Sequence, residues 1–439
     1  MSRITSEQAL VRAMGTWGLA AGIVNVTIGG GIFRLPAAAA GTLGAAAPIA
    51  YVVCAAAMGL IVLCFAEAGS RVSLTGGLYA YVEVAFGPFV GFITGATLWA
   101  GITVATAAVS SFFADALVAT VPALAAGSGR TIALVVILAA LGALNVLGVR
   151  GASRFNALMT VAKLLPLALL IVVGFTGVRR ANLEWSGAPA TGDVARASIV
   201  LIFAFLGVET ALAPSGEVRD TARTVPRAIF IAMLIVTIVY LAVQIVAQGL
   251  LGSALPGQKT PLAEAAAVVL GPTGRMIILI GTIVSMFGYV SGMTLAGPRM
   301  LYALGRDGFL PAAVAWIHPR FRTPYVAIVI QTILVIALAA SGSFEKLVLI
   351  ANGSVLIVYA ACCAAVLELR RRGIRQDAAP FRVPFAAVVP VLAIVLIVWL
   401  LSGLSADEWK SVLLMIALAV VVYVASLPAR RAARAETSA

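Results

Sequence analysis

The chain has 439 residues, of which 62% are hydrophobic and 11% charged, and it carries a formal net charge of +13. So little polar surface cannot cover a soluble globule, and that class is excluded. The basic balance does not mark a nucleic-acid binder either, because the arginines are spread over short connections instead of gathering with aromatics on one face.

Apolar segments centred near Ala21, Ala56, Thr103, Leu138, Leu169, Phe205, Val239, Ser285, Ile333, Leu356, Ile394 and Ala417 each supply the roughly 20 residues of one bilayer crossing. The predicted fold class is an all-α polytopic membrane protein with about 12 transmembrane helices in a single domain over 1–439. The stretch from Met14 lacks the cleavage pattern of a signal peptide and reads as the first span. Twenty of the 30 basic residues fall in connections on the N-terminal side, eight on the other side, and Arg34 and Lys163 within spans. That asymmetry predicts cytoplasmic N- and C-termini in an inner or plasma membrane.

In the first span, residues 28–36 read IGGGIFRLP. Each glycine weakens a helix by about 1 kcal/mol relative to alanine, so the backbone at Gly29, Gly30 and Gly31 is expected to unwind ahead of Pro36. Unwound backbone at bilayer depth is tolerated where it lines a cavity or meets a ligand. The competing reading is that the glycines let a neighbouring helix come close. Arg34 follows Gly30 by four residues, and a structural pairing with Asp115 or Glu209 is expected. Residues 75–87 read as an amphipathic helix on the inner interface, with Tyr79 and Tyr81 at headgroup level.

Lys163 lies in the inner half of the fifth span, where an ionisable group is a functional candidate unless its stem snorkels to the interface. The sixth span contains FAFLGVETALAPSGEV, residues 203–218, in which Gly207 interrupts and Pro214 follows. Gly30 and Gly207 are 177 residues apart, about five spans with their loops. This spacing predicts two halves of opposite topology, 12–190 and 191–370, with two additional helices over 385–428. Discontinuous helices at matching positions of inverted halves point to a transporter site. Glu209 lies two residues past the second break, where it can fix the broken helix by accepting hydrogen bonds from backbone or hydroxyl groups.

Later spans add weaker signals. Ser291, Met293 and Asn352 are polar or adaptable groups near the expected depth of a pocket, of which Ser291 is taken as a site residue. Cys54, Cys64, Cys362 and Cys363 match no metal or haem spacing, and the single histidine, His318, sits in the loop HPRFRTP. No nucleophile elbow, phosphate loop or metal cluster is present in the sequence, so neither an enzyme nor a cofactor or metal is expected.

Two facing breaks define what they can hold. Amides at the start of a second half-helix favour an anion such as a carboxylate, and exposed carbonyls favour an ammonium. A zwitterionic α-amino acid satisfies both. The clamp would comprise the carbonyls of Thr27, Ile28, Phe203, Ala204 and Leu206 and the amides of Gly30 and Gly31, with Gly29 at the bend.

These residues resemble the amino acid–polyamine–organocation (APC) superfamily of permeases. IGGGIFRLP is similar to its first-span signature and FAFLGVE to its sixth. EVRDTARTVPRAI resembles the loop that follows, TGGLYAYVEVAFGPFVGF the connection between spans two and three, and RMLYALGRDGFLP with TPYVAI the stretch after span eight. Pro298 stands before Arg299 where the family usually has serine. The resemblance implies a leucine-transporter-like 5+5 inverted repeat with broken helices 1 and 6. It further implies a gating aromatic at Phe203 and, at Lys163, an ammonium in place of a sodium ion. Lys163 then either cycles a proton or is a charged tether. GVET resembles the GVES of arginine/agmatine antiporters, which links Glu209 to pH sensing and so to coupling.

The expected function is sodium-independent transport of L-amino acids by alternating access, most readily neutral ones, with proton coupling or exchange. A cationic amino acid or amine antiporter is the alternative, and a membrane amino acid sensor the rival from another class. The expected partners are the amino acid, protons and the lipid bilayer, without nucleic acid.

Overall fold

The computed structural model of the protein describes residues 15–72, 78–147, 152–185, 187–207, 221–374, 381–383, 385 and 387–438. The described chain is helical, with no strand among those residues. Internal hydrogen bonding makes the helix self-sufficient in hydrocarbon. Fourteen α-helices follow one another. They are α1 (Thr16–Thr27), α2 (Leu35–Leu43), α3 (Pro48–Arg71), α4 (Leu78–Phe86), α5 (Pro88–Thr120), α6 (Gly129–Leu147) and α7 (Ala152–Gly174). After them come α8 (Thr191–Leu201), α9 (Thr221–Leu251), α10 (Pro261–Arg306), α11 (Tyr325–Ser341), α12 (Phe344–Arg371), α13 (Val388–Leu401) and α14 (Ala406–Ser438).

Seven helices among the described residues are long and apolar enough to cross a membrane, and four shorter apolar helices accompany them. Each predicted span centre lies in a helical element, but two spans are split. The first consists of α1, a 3-10 turn at Gly31–Phe33 and α2; the sixth begins as α8 and passes into a 3-10 turn at Ile202–Phe205. Prolines open α2, α3, α5 and α10, where a missing amide hydrogen costs nothing. Gly271, at φ +63°, bends the chain within α10 just before Pro272.

The helices sort into two groups. α1, α2, α3, α8 and α9 pack largely on one another, and α5, α6, α10 and α11 form a second set. α12 bridges them through α5, α3 and α8, while α7 joins α9 to α10. α13 lies against α12, α3 and α8, and α14 against α5 and α12. The outward faces are apolar too, as Val172 at 71% and Leu165 at 63% exposure show, which suits lipid rather than water.

Helix α4 corrects one expectation. Tyr81 is buried, its hydroxyl close to Gly69 of α3, and Leu78, Ala80, Val82 and Ala85 are buried with it. α4 packs between α5 and α12, with Tyr79 half-buried and Glu83 exposed. Residues 75–77 lie outside the described set.

At the arginine-rich end of the bundle, the carboxylate of Glu67 is fully buried. It accepts from Arg71 Nε at 2.9 Å, Arg370 Nε at 2.7 Å and Nη2 at 2.5 Å, and the amide of Val383 at 2.8 Å. One acid thus ties α3 to α12 and to the strand of chain leading into α13. Removing one member of a buried ion cluster leaves uncompensated charge and costs about 3–5 kcal/mol. Glu67→Gln should therefore lower the thermal unfolding midpoint of the detergent-solubilised protein markedly, whereas Lys410→Gln, which breaks an exposed pair with Asp407, should leave it within experimental error.

Candidate functional site

The two breaks meet in the middle of the bundle. α1 ends at Thr27; Ile28 turns out of the helix at φ −73° and ψ 78°, and the amide of Gly29 closes a tight turn onto the Thr27 carbonyl at 2.7 Å. The amides of Gly30 and Gly31 donate to no carbonyl among the described residues, while Gly30 and Gly31 carbonyls accept from Phe33 and Arg34. A Cβ on Gly31 would stand 3.1 Å from the Phe203 ring and 3.5 Å from the Ala204 backbone. The first break therefore touches the second directly.

The second break unwinds at the glycine that the sequence marks. Leu206 is extended at ψ 152° and Gly207 has φ +104°, a backbone that residues with side chains rarely adopt. Glu209 and Pro214 lie outside the described residues.

Freed carbonyls find specific partners. The hydroxyl of Tyr240, buried in α9, lies 2.8 Å from the Thr27 carbonyl and 2.7 Å from that of Ala204, so its single proton is shared between the two breaks. Tyr51 stands edge-on to Tyr240 and donates to Gln244 Oε1 at 3.2 Å. Asn352, fully buried in α12, donates through Nδ2 to the Ile199 and Val200 carbonyls at the end of α8, at 2.6 and 3.3 Å. The thiol of Cys54 donates to the Ser198 carbonyl at 3.2 Å, and the Leu206 amide to the Phe203 carbonyl. Among the groups still unserved are the Ile28 carbonyl, which accepts nothing among the described residues, and the Thr27 hydroxyl, which is buried without a partner among them.

Over Gly30 stands Met286 of α10, fully buried. A Cβ on that glycine would come within 2.4 Å of the methionine's terminal methyl and 3.3 Å of Val109 of α5. Gly30 thus faces the second helix group and Gly31 the other break. Close packing and an unwound backbone coexist at the glycine triplet.

Toward the end of the bundle opposite the arginine-rich one, aromatic rings cover the breaks. Phe203 meets Phe344 edge-on with centroids 6.1 Å apart, Phe344 lies 5.5 Å from Phe112, and the Arg34 guanidinium sits 5.9 Å over Phe112. Arg34 corrects a second expectation: it pairs with Glu345 at 2.7 Å and donates to the Lys259 carbonyl at 2.5 Å. Asp115 is already held by Arg130 at 2.8 Å, which also reaches Ser111. Glu345 occupies the first turn of α12, where the helix dipole favours an acid.

Two further site candidates lie apart from these contacts. Lys163 is half-buried in α7; one turn on, Pro166 packs into the space left by Gly281 of antiparallel α10. That register sets Lys163 level with Ser285 and Met286, whose own hydroxyl in the case of Ser285 is buried without a partner. Ser291 lies five residues further along α10, where its carbonyl accepts from Thr294, and the structure does not bring it to the breaks. Tyr240, Met286 and Phe344 had no marker of their own in the sequence, although a tyrosine followed by Gln244 one turn later is an unusual polar pair for an apolar span.

Comparison with known proteins agrees with this architecture. A family profile described as amino acid permease matches residues 14–425. The chain is 28% identical to the methylthioribose transporter of Bacillus subtilis (strain 168), covering 96% of this chain and 95% of that one. It is 27% identical to the branched-chain amino acid permease BcaP of the same organism, covering 95% and 94%, and 27% identical to its serine/threonine exchanger SteT, covering 89% and 90%. Each relative is matched over nearly its whole length. With broken helices that meet at mid-bundle and a family match spanning almost every residue, the chain belongs to the amino acid permeases of the APC superfamily and is a multi-pass membrane protein.

Proposed function

We propose that the protein carries L-amino acids, neutral ones first, by sodium-independent alternating access, through exchange or with protons. The observation that carries this reading is the pair of touching breaks, with the Gly30 and Gly31 amides and the Thr27 hydroxyl unpartnered among the described residues beside them. Unbonded amides at the start of a half-helix suit a carboxylate. The Ile28 and Leu206 carbonyls are the groups best placed for the ammonium, since Tyr240 and the Leu206 amide engage those of Thr27, Ala204 and Phe203. A substrate taking that position must move the tip of Met286, an adaptable side chain suited to yielding.

Residues 12–190 and 191–370 would form the two inverted halves, with 385–428 as added helices and both termini cytoplasmic. In that orientation the Phe203–Phe344 layer and the Arg34–Glu345 pair lie on the outer side of the breaks and serve as the outer gate. The branched-chain permease and the serine/threonine exchanger among the relatives favour neutral substrates. Cationic amino acids and amines are the alternative, reached through Glu209.

The test is uptake by the purified protein in liposomes, with a competition panel of neutral and cationic amino acids and methylthioribose. Displacement of labelled neutral amino acid by other neutral ones is expected; displacement by the cations or by methylthioribose alone would overturn the assignment.

Three variants probe the site. Gly30→Leu should abolish substrate binding while the protein still inserts and folds, because the new side chain collides with Met286 and fills the carboxylate position. Tyr240→Phe keeps the ring but strips both breaks of their shared donor. Losing a buried hydrogen bond costs about 1–3 kcal/mol, so substrate affinity should fall roughly tenfold or more with only a modest drop in thermal stability.

Lys163 is the third. An ammonium standing in place of a sodium ion, as the family resemblance implies for Lys163, repels a second cation in a low-dielectric site, so uptake should be unchanged when choline replaces sodium. If Lys163 exchanges a proton, Lys163→Ala and the permanently charged Lys163→Arg both lose accumulation driven by a pH gradient. Accumulation retained by the arginine variant assigns the residue as a tether instead.

A further inference from the structure

At the end of the bundle where α1 and α9 both begin, the two helices leave a groove between them. Thr16, Trp17, Arg227, Phe230 and Ile231 line it, around a volume of about 470 Å3. Trp17 is 74% exposed and Phe230 70%. α1 is packed along one side only: Leu19, Ala20 and Ile23 are buried, whereas Trp17, Gly18, Ala21 and Gly22 are open. Within this apolar trough Arg227 is exposed, and no acidic side chain pairs with it among the described residues.

A cation walled by aromatic and aliphatic groups calls for an anion that brings hydrocarbon with it. A soluble anion would satisfy Arg227 and leave Trp17, Phe230 and Ile231 bare. Tryptophan rings at helix ends sit at headgroup depth, and basic pockets between transmembrane helices bind acidic lipid headgroups. We propose that the groove between α1 and α9 is a binding site for one anionic glycerophospholipid, its headgroup on Arg227 and an acyl chain along Trp17, Phe230 and Ile231. The lipid then rests against α1, the half-helix that ends at the first break. This site is independent of which substrate the protein carries.

The experiment uses the full chain reconstituted with phosphatidylglycerol or phosphatidylcholine bearing brominated acyl chains, and reads the fluorescence of Trp17 as the difference between the parent and Trp17→Phe. Brominated phosphatidylglycerol should quench that difference signal about threefold more strongly than the phosphatidylcholine of matched chains. The preference should shrink at high salt, vanish in Arg227→Gln and survive in Arg227→Lys, which shows that the glutamine variant fails by charge and not by misfolding. Equal quenching by the two lipids, a preference that persists in Arg227→Gln, or displacement of the brominated lipid by inorganic phosphate would each overturn the proposal.

Discussion

A polypeptide in hydrocarbon must bond every backbone amide and carbonyl to itself, and each one left over costs several kcal/mol. The structure is organised around the two places where this rule is suspended. Breaking a helix twice at the same depth frees a cluster of polar groups, and the surrounding helices supply side chains matched to them. Tyr240 serves both breaks with one hydroxyl, Asn352 caps the carbonyls ending α8, and Cys54 takes another of them. These donors come from α9, α12 and α3, three helices that are themselves unbroken. Among the described residues of the first break, the groups left unserved include the Gly30 and Gly31 amides, the Ile28 carbonyl and the Thr27 hydroxyl.

The same arrangement explains why both helix groups are needed. Gly31 meets the second break within its own group, whereas Gly30 meets Met286 and Val109 across the boundary. Adjacent glycines thus look to opposite sides of the interface at which the two groups meet. A change in how the groups face each other would alter the surroundings of Gly30 more than those of Gly31.

Sequence reading located the breaks because their causes are local: three glycines in a row, and a glycine whose positive φ excludes side chains. Helix positions followed from apolar length, for the same reason. Partnerships between distant residues were another matter. Arg34 and Glu345 are separated by 311 positions, and nothing near either residue announces the other; Asp115 was a reasonable candidate until Arg130, across a short turn, is seen to hold it. Tyr81 looked interfacial because tyrosine often is, yet its ring is buried with the hydroxyl against Gly69, where a side chain would crowd it. Tyr240 is a single hydroxyl in an apolar helix, and its importance comes entirely from what two other helices leave unbonded next to it. Glu209 falls among residues 208–220, outside the described set, and its role rests on the sequence.

The helix pair α13 and α14 is strapped at both ends of the bundle. At one end Arg196 of α8 grips Glu408 at 2.5 and 2.9 Å and the Gly403 carbonyl at 2.9 Å; at the other, the Val383 amide is held by Glu67 of α3. Both straps attach to the helix group that contains the breaks, yet α14 lies along α5 of the other group. Any tilt of one group against the other must therefore shear α14 along α5 or stretch a strap. The pair is thus clamped to one helix group and bears on the other, so it couples the two across the outside of the bundle.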